Sequence, residues 1–355
     1  MATKINRKLV YLEIRMEIQL PILGISAGDP AGIGPEITAK ALALKEIYEI
    51  CKPLVVCDAK IMRQIISLCG LNLNVNAVID PAEGVYRFGT IDVLDLKNVD
   101  ESFQFNTVSA MTGKASFEYV AKVIELARAR LIDATITGPI HKEAIQKAGF
   151  NFAGHTEIYA ALTNTKDYTM MLADGHFRVV HVSTHVSLSE AINRVKKDRV
   201  LKVIQLADAA LRRIDIDNPR IAVAGLNPHA GENGLFGTEE IDEIIPAIEA
   251  AKKFGIHAEG PFPPDTIFPK MKGGQYDVVV CMYHDQGHIP TKLLGFNYNH
   301  EKNKWEGLSG VNITLGLPII RVSVDHGVAF DKGGKCEANA ESMIQAIKYG
   351  ARLCG

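Results

Sequence analysis

The chain has almost no surplus of charge: 39 Lys and Arg stand against 41 Asp and Glu, a formal net charge of −2. A broad basic surface is therefore absent, which argues against nucleic acid as a partner. No apolar run reaches the roughly 18 residues of a membrane span. Residues 1–20 mix charges with apolar residues and lack the continuous apolar core of a secretory signal. The six cysteines (Cys51, Cys57, Cys69, Cys281, Cys336 and Cys354) show no Cys-x-x-Cys spacing. That argues against a zinc knuckle and fits a reducing compartment, so a cytoplasmic location is expected. Internal repeats and low-complexity tracts are also missing. What remains, 355 residues with 47% apolar and 23% charged content, is the composition of an ordinary globular enzyme with a sizeable core.

Strand-like apolar runs alternate with helical patterns along the chain, which predicts a largely parallel sheet. Strands are expected at 22–25, 53–57, 90–95, 134–137, 170–172, 179–182, 221–224, 277–282, 311–314 and 318–321. Helices are expected near 35–49, 59–68, 112–131, 187–212, 238–254 and 340–353, with 261–266 as a loop. Met16 precedes the first strand, so residues 1–15 read as a loose extension or an upstream start. The polar segment 297–309, with the single Trp305, reads as a surface loop or short hairpin.

Chemistry-bearing residues collect at the C-terminal ends of the strands, where open α/β sheets bind ligands. Val278-Val279-Val280-Cys281 runs into Tyr283-His284-Asp285-Gln286-Gly287-His288. His185 and His229 follow two other apolar strands in the same way. Three neutral imidazoles with an open position would make a Lewis-acid site for a divalent ion, and separate structural histidines are the competing reading. Such a site could also serve a hydrolase or a non-catalytic binder. The turn Gly28-Asp29-Pro30-Ala31-Gly32-Ile33-Gly34-Pro35 opens a helix. It reads equally as an anion cradle or a tight connection, since it is neither a Walker A loop nor Gly-x-Gly-x-x-Gly.

Seven stretches in order resemble one family: 28–36, Thr137-Gly138-Pro139-Ile140-His141-Lys142, Gly154-His155-Thr156-Glu157, Leu226-Asn227-Pro228-His229-Ala230-Gly231-Glu232, 283–287, 310–318 and Ser323-Val324-Asp325-His326-Gly327. The chain is similar over about 22–353 to the 4-hydroxythreonine-4-phosphate dehydrogenases. The resemblance implies an α/β, isocitrate/isopropylmalate dehydrogenase-like two-domain fold with a central cleft. Residues 1–21 would be an N-terminal extension. Residues 22–135 plus 285–355 would form a cofactor-side domain, and 136–284 a metal and dimerisation domain. It implies a homodimer with the active site at the interface, NAD (or NADP) as cofactor, and one divalent metal (Zn, Mg, Mn or Co) on His185, His229 and His284. Substrate contacts carry over to His155, Thr156, Lys292, Asn312 and Arg321. Cofactor contacts carry over to His326, Gly327 and Asp331, where a plain glycine-rich turn is the alternative. Lys292, Asp285 and Asp265 are the candidate general bases. The implied reaction oxidises the C3 hydroxyl of a 4-phosphorylated four-carbon hydroxy acid and then decarboxylates it. Gly287-His288-Ile289-Pro290, Lys292-Leu293-Leu294-Gly295-Phe296 and the 297–309 segment resemble the branch acting on D-threonate or D-erythronate 4-phosphate, which yields dihydroxyacetone phosphate. The alternative is 4-hydroxy-L-threonine 4-phosphate, converted to 3-amino-2-oxopropyl phosphate in pyridoxal phosphate synthesis.

Overall fold

The computed structural model describes residues 20–295, 297–301, 304–306 and 310–355. Most of the expected N-terminal extension, residues 1–19, and part of 297–309 lie outside the described residues. The apolar runs form strands β1 (Ile22–Ser26), β2 (Lys52–Cys57), β3 (Asn74–Val78), β4 (Thr90–Asp95), β5 (Ala134–Thr137), β6 (Thr169–Asp174), β7 (Phe177–His181), β8 (Ile221–Ala224), β9 (Ala258–Phe262) and β10 (Val278–Cys281). The chain continues through a small hairpin, β11 (Asn297–Asn299) with β12 (Lys304–Glu306), into β13 (Val311–Leu315) and β14 (Ile320–Val324).

Twelve of these strands make one sheet in the order β3-β4-β2-β1-β5-β14-β13-β6-β7-β10-β8-β9. β13 is antiparallel to both β14 and β6, and β6 is antiparallel to β7. The remaining pairings are parallel, so the expected large, mostly parallel α/β sheet is present. Helices cover both faces, which is why β1, β2, β8 and β10 are apolar almost throughout rather than alternating. The strands of 22–137 and 311–324 are contiguous in the sheet, as are those of 169–281, with the change from β13 to β6 near its middle.

Local expectations failed at a few places. The helix expected over 187–212 breaks into Leu188–Arg194 and Lys197–Arg212 at the buried Val195, which leaves helical geometry (ψ 88). The one expected over 35–49 breaks into Gly34–Leu42 and Ile47–Ile50 before the chain enters β2. The loop expected at 261–266 is the end of edge strand β9 followed by helix Pro264–Lys272. Pro261 is tolerated there because the strand is at the sheet edge, where β8 and β9 shift register. The cysteine expectation is corrected as well. Cys69 and Cys336 are joined in a disulfide across 267 residues, their Cα atoms 5.3 Å apart, while Cys51, Cys57, Cys281 and Cys354 are free. Spacing along the chain could not show this pairing, since the sheet alone brings the two segments together.

Candidate active site

β7, β10 and β8 are neighbours, so the loops that follow them leave the sheet side by side. His185 lies just beyond β7, His284 opens helix His284–Gly295 beyond β10, and His229 stands in the turn Pro228–Gly234 beyond β8. The rings of His185 and His284 are 5.6 Å apart, centroid to centroid. His284 Nδ1 donates to Asp285 Oδ1 at 2.6 Å, which leaves Nε2 as the free nitrogen. His229 is exposed, with its ring 6.2 Å from that of Phe236. Among the described residues no group of three or more His, Cys, Asp or Glu side chains stands close enough to hold an ion. Two imidazoles thus converge, and the third is on the adjacent strand end outside that pair.

Two histidines to which the sequence assigned no role complete a row of rings. His288 lies one helical turn after His284, stacked on it at 3.6 Å with an interplanar angle of 11°, and its Nδ1 donates to the His284 carbonyl at 2.9 Å. His181, at the end of β7, is fully buried 4.7 Å from His288. Burial pushes His181 down to about 3 and His288 down to about 4, so both are neutral at physiological pH. The i, i+4, i+8 spacing of His284, His288 and Lys292 was the available signal, because it puts all three on one helix face. Lys292 Nζ reaches Asp325 Oδ2 at 3.2 Å. Asp265 is exposed in the first turn of helix Pro264–Lys272, which packs against the His229 turn.

A second cluster forms where β13 and β14 enter the sheet. Arg321 on β14 is 2% exposed. Its guanidinium donates to Thr314 Oγ1 at 2.8 Å and Thr137 Oγ1 at 3.3 Å, lies 5.5 Å from the Tyr159 ring centre, and keeps Nε buried with no partner. Burial lowers it to about 10, so it remains a cation. His155 starts helix His155–Thr163, with its Nε2 buried and unpartnered. Burial, and then the nearby Arg321, hold it well below the usual histidine range. Asn312 Oδ1 is likewise buried without a partner. A buried cation hydrogen-bonded only to hydroxyls, beside further unmet polar atoms, suits an incoming anion. A cavity of about 500 Å³ extends from Thr156 past Met170 and His181 to His185. Its lining includes His181 and His185, while Arg321 and Thr314 line a separate hollow.

The glycine turn 28–34 is accounted for by packing. A side chain at Gly28 would meet the Pro139 carbonyl, and one at Gly32 would meet Val328. Ile33 N–H donates to the Val328 carbonyl at 3.0 Å, so the turn holds the 325–334 loop. On that loop His326 Nε2 is buried and unpartnered, the space beside Gly327 is open, and Asp331 sits in the short helical turn Phe330–Lys332. An open glycine beside an unmet imidazole nitrogen is compatible with a nucleotide.

Asp29 fills the glycine turn with its own carboxylate: Oδ1 accepts from Ala31 N–H at 3.0 Å and Oδ2 is buried unpartnered. Burial raises its pKa from 3.8 to about 6. A raised folded-state value means that the native state keeps a proton which the unfolded state loses. Stability is therefore expected to fall as pH rises from about 4 to about 6, by up to about 3 kcal/mol at 1.36 kcal/mol per unit. Asp29→Asn should flatten that slope and raise stability at pH 8, as read from urea midpoints at pH 4.5 and 8. Equal slopes for both proteins would remove Asp29 as its source.

The architecture is a mostly parallel α/β sheet with histidines beyond its strand ends and a buried arginine held between β5 and β13. The chain belongs to the family described as pyridoxal phosphate biosynthetic protein PdxA, which matches residues 49–350. A relative from Oceanobacillus iheyensis named "Putative D-threonate 4-phosphate dehydrogenase" is 47% identical over 94% of this chain and 98% of its own. One of the same name from Symbiobacterium thermophilum is 45% identical over 94% and 96%. The crystal structure of a 4-hydroxythreonine-4-phosphate dehydrogenase from Klebsiella pneumoniae has a TM-score of 0.83 and 41% identity, covering 94% of this chain and 98% of that one. The protein is therefore an oxidoreductase of the 4-hydroxythreonine-4-phosphate dehydrogenase type. Among the described residues no helix is long and apolar enough to cross a membrane.

Proposed function

We propose that the enzyme oxidises the C3 hydroxyl of D-threonate or D-erythronate 4-phosphate with NAD and decarboxylates the product to dihydroxyacetone phosphate. The observation that carries this reading is the buried Arg321 with its unmet Nε beside His155 and Asn312: a cation corner suited to a phosphate or carboxylate. The names of the relatives at 45–47% identity support the substrate class. Arg321, His155, Thr156 and Asn312 bind the anionic substrate. Lys292, held by Asp325, moves the proton at the reacting end. Asp285 is engaged by His284 and acts as its orienting partner, while Asp265 is exposed on a neighbouring helix. His326, Gly327 and Asp331 take the NAD.

Three imidazole donors on adjacent strand ends suit a first-row divalent ion, and we assign His185, His229 and His284 as its ligands. When bound, the metal would lower the pKa of the substrate hydroxyl and polarise the carbonyl formed from it.

The test is kcat/KM for both four-carbon hydroxy-acid phosphates and for 4-hydroxy-L-threonine 4-phosphate, with NAD or NADP and with Zn, Mg, Mn or Co, reading reduced nicotinamide and the phosphorylated ketone. The hydroxy acids are expected to lead by at least about tenfold, the effect of a 1.4 kcal/mol difference. A faster reaction with the amino substrate would transfer the enzyme to the pyridoxal phosphate route. Metal-dependent turnover without a nicotinamide would point to hydrolysis.

The working unit we propose is a homodimer with a composite site. Leu188, Ile192, Leu235, Phe236 and Ile241 are exposed in the segments flanking His185 and His229, and such apolar surface favours a partner. Mixing a His284→Ala protein with an Arg321→Ala protein should restore part of the activity after reassembly if the two residues reach one site from different subunits. A fully active monomer by light scattering would defeat this.

A further inference from the structure

In the turn after β8, five consecutive residues lie in the left-handed region: His229 (φ 54), Ala230 (φ 54), Gly231 (φ 79), Glu232 (φ 42) and Asn233 (φ 57). Only glycine adopts that region without penalty, so the surroundings must hold the other four there. Glu240 anchors the segment that leads into this turn. It is 2% exposed, in a π-helical turn, Glu240–Ile244. Its Oε1 accepts the N–H groups of Leu226 (2.7 Å) and Asn227 (2.8 Å), and its Oε2 accepts from Asn227 Nδ2 (2.9 Å). A side chain at Gly231 would stand 2.6 Å from Oε2 and one at Gly225 would stand 3.1 Å from Oε1, so these glycines admit the carboxylate.

The same turn is tied to the neighbouring strand end. Gln286, 7% exposed, accepts from Met282 N–H at 2.7 Å and donates to the Gly225 carbonyl at 2.8 Å. The chain of contacts therefore runs from Glu240 through Leu226, Asn227 and Gly225 to Gln286, two residues beyond His284.

We propose that Glu240 is a positioning residue for the metal site: its carboxylate, coupled through Gln286, fixes the His229 turn relative to His284. This rests on the three-histidine reading above. A carboxylate serving only the fold would change stability on replacement and leave metal binding alone. One that sets the ligand's position would change both the affinity and the geometry of the bound ion.

The experiment uses the full chain with Co²⁺ alone as the probe, following its visible ligand-field absorption. Glu240→Gln keeps size and hydrogen-bonding capacity but loses the charge, and turns one acceptor into a donor facing Asn227. It is expected to weaken Co²⁺ binding by about 10- to 100-fold, the usual effect of removing an outer-layer partner, and to shift the absorption band. Should that variant not fold, Asn227→Ala removes the Nδ2 contact from the other side and is expected to weaken binding severalfold, with the same shift. His229→Ala separates the two claims. If it abolishes binding while Glu240→Gln and Asn227→Ala retain wild-type affinity and spectrum, the positioning role is wrong and the ligand set stands. If His229→Ala binds Co²⁺ as the wild type does, the ligand set falls and this inference falls with it.

Discussion

Replacement of His185, His229 or His284 by alanine is expected to reduce bound divalent metal and turnover together, each by more than about 100-fold, since losing even an outer-layer partner costs 10–100-fold. His185 and His284 already stand with ring centres 5.6 Å apart, and His284 is oriented by Asp285 at 2.6 Å. His229 is carried by the adjacent strand end, so its loss should match the other two. His288 supplies the internal control. It stacks on His284 but spends Nδ1 on a backbone carbonyl, so His288→Ala should lower metal affinity less than any of the three. Elemental analysis after dialysis, with rates measured on the same samples, decides the matter. Three variants with full metal and full activity would dismiss the assignment.

Arg321→Ala is expected to lower kcat/KM on the phosphorylated substrate by about 10- to 150-fold, from a charge-assisted bond of about 1.5–3 kcal/mol at 1.4 kcal/mol per factor of ten. A C4 phosphate carries close to two negative charges, and a chain of net charge −2 offers no general attraction to it. A local buried cation must therefore do the binding. Arg321→Lys keeps the charge but loses the planar fork, and should remain impaired if the contact is bidentate. The burial that makes Arg321 effective also makes it costly without its anion. Arg321→Met should therefore leave the free protein as stable or more so by thermal unfolding, yet remove the stabilisation that substrate confers. Equal losses on phosphorylated and dephosphorylated substrates would reassign Arg321 to the carboxylate. A large drop in the stability of the free Met variant would make the residue structural.

Much of this architecture was legible along the chain. β-branched runs such as Val278–Cys281 announced buried strands, and the polar clusters after them marked the strands' C-terminal ends, because both depend on local periodicity and turn residues. Helix interruptions were less legible. Val195 fits a helical pattern, yet the chain leaves helical geometry there, since tertiary context can override propensity. The glycine turn was ambiguous for a similar reason. Gly28 and Gly32 show that space is scarce, and only the structure shows that Pro139 and Val328, parts of the protein itself, occupy it.

The sequence by itself determined the alternation of strands and helices and the strand-end positions of His185, His229 and His284. All of these depend on residues close together in the chain. Only the tertiary structure decided that β14 would lie between β5 and β13, which brings Arg321 to Thr137 from 184 residues away. It also decided that Cys69 would meet Cys336 and that Glu240 would close on Leu226 and Asn227. The physical reason is that strand order comes from the burial of whole faces of helices and sheet. The contacts it creates join segments whose separation along the chain carries no signal of their meeting.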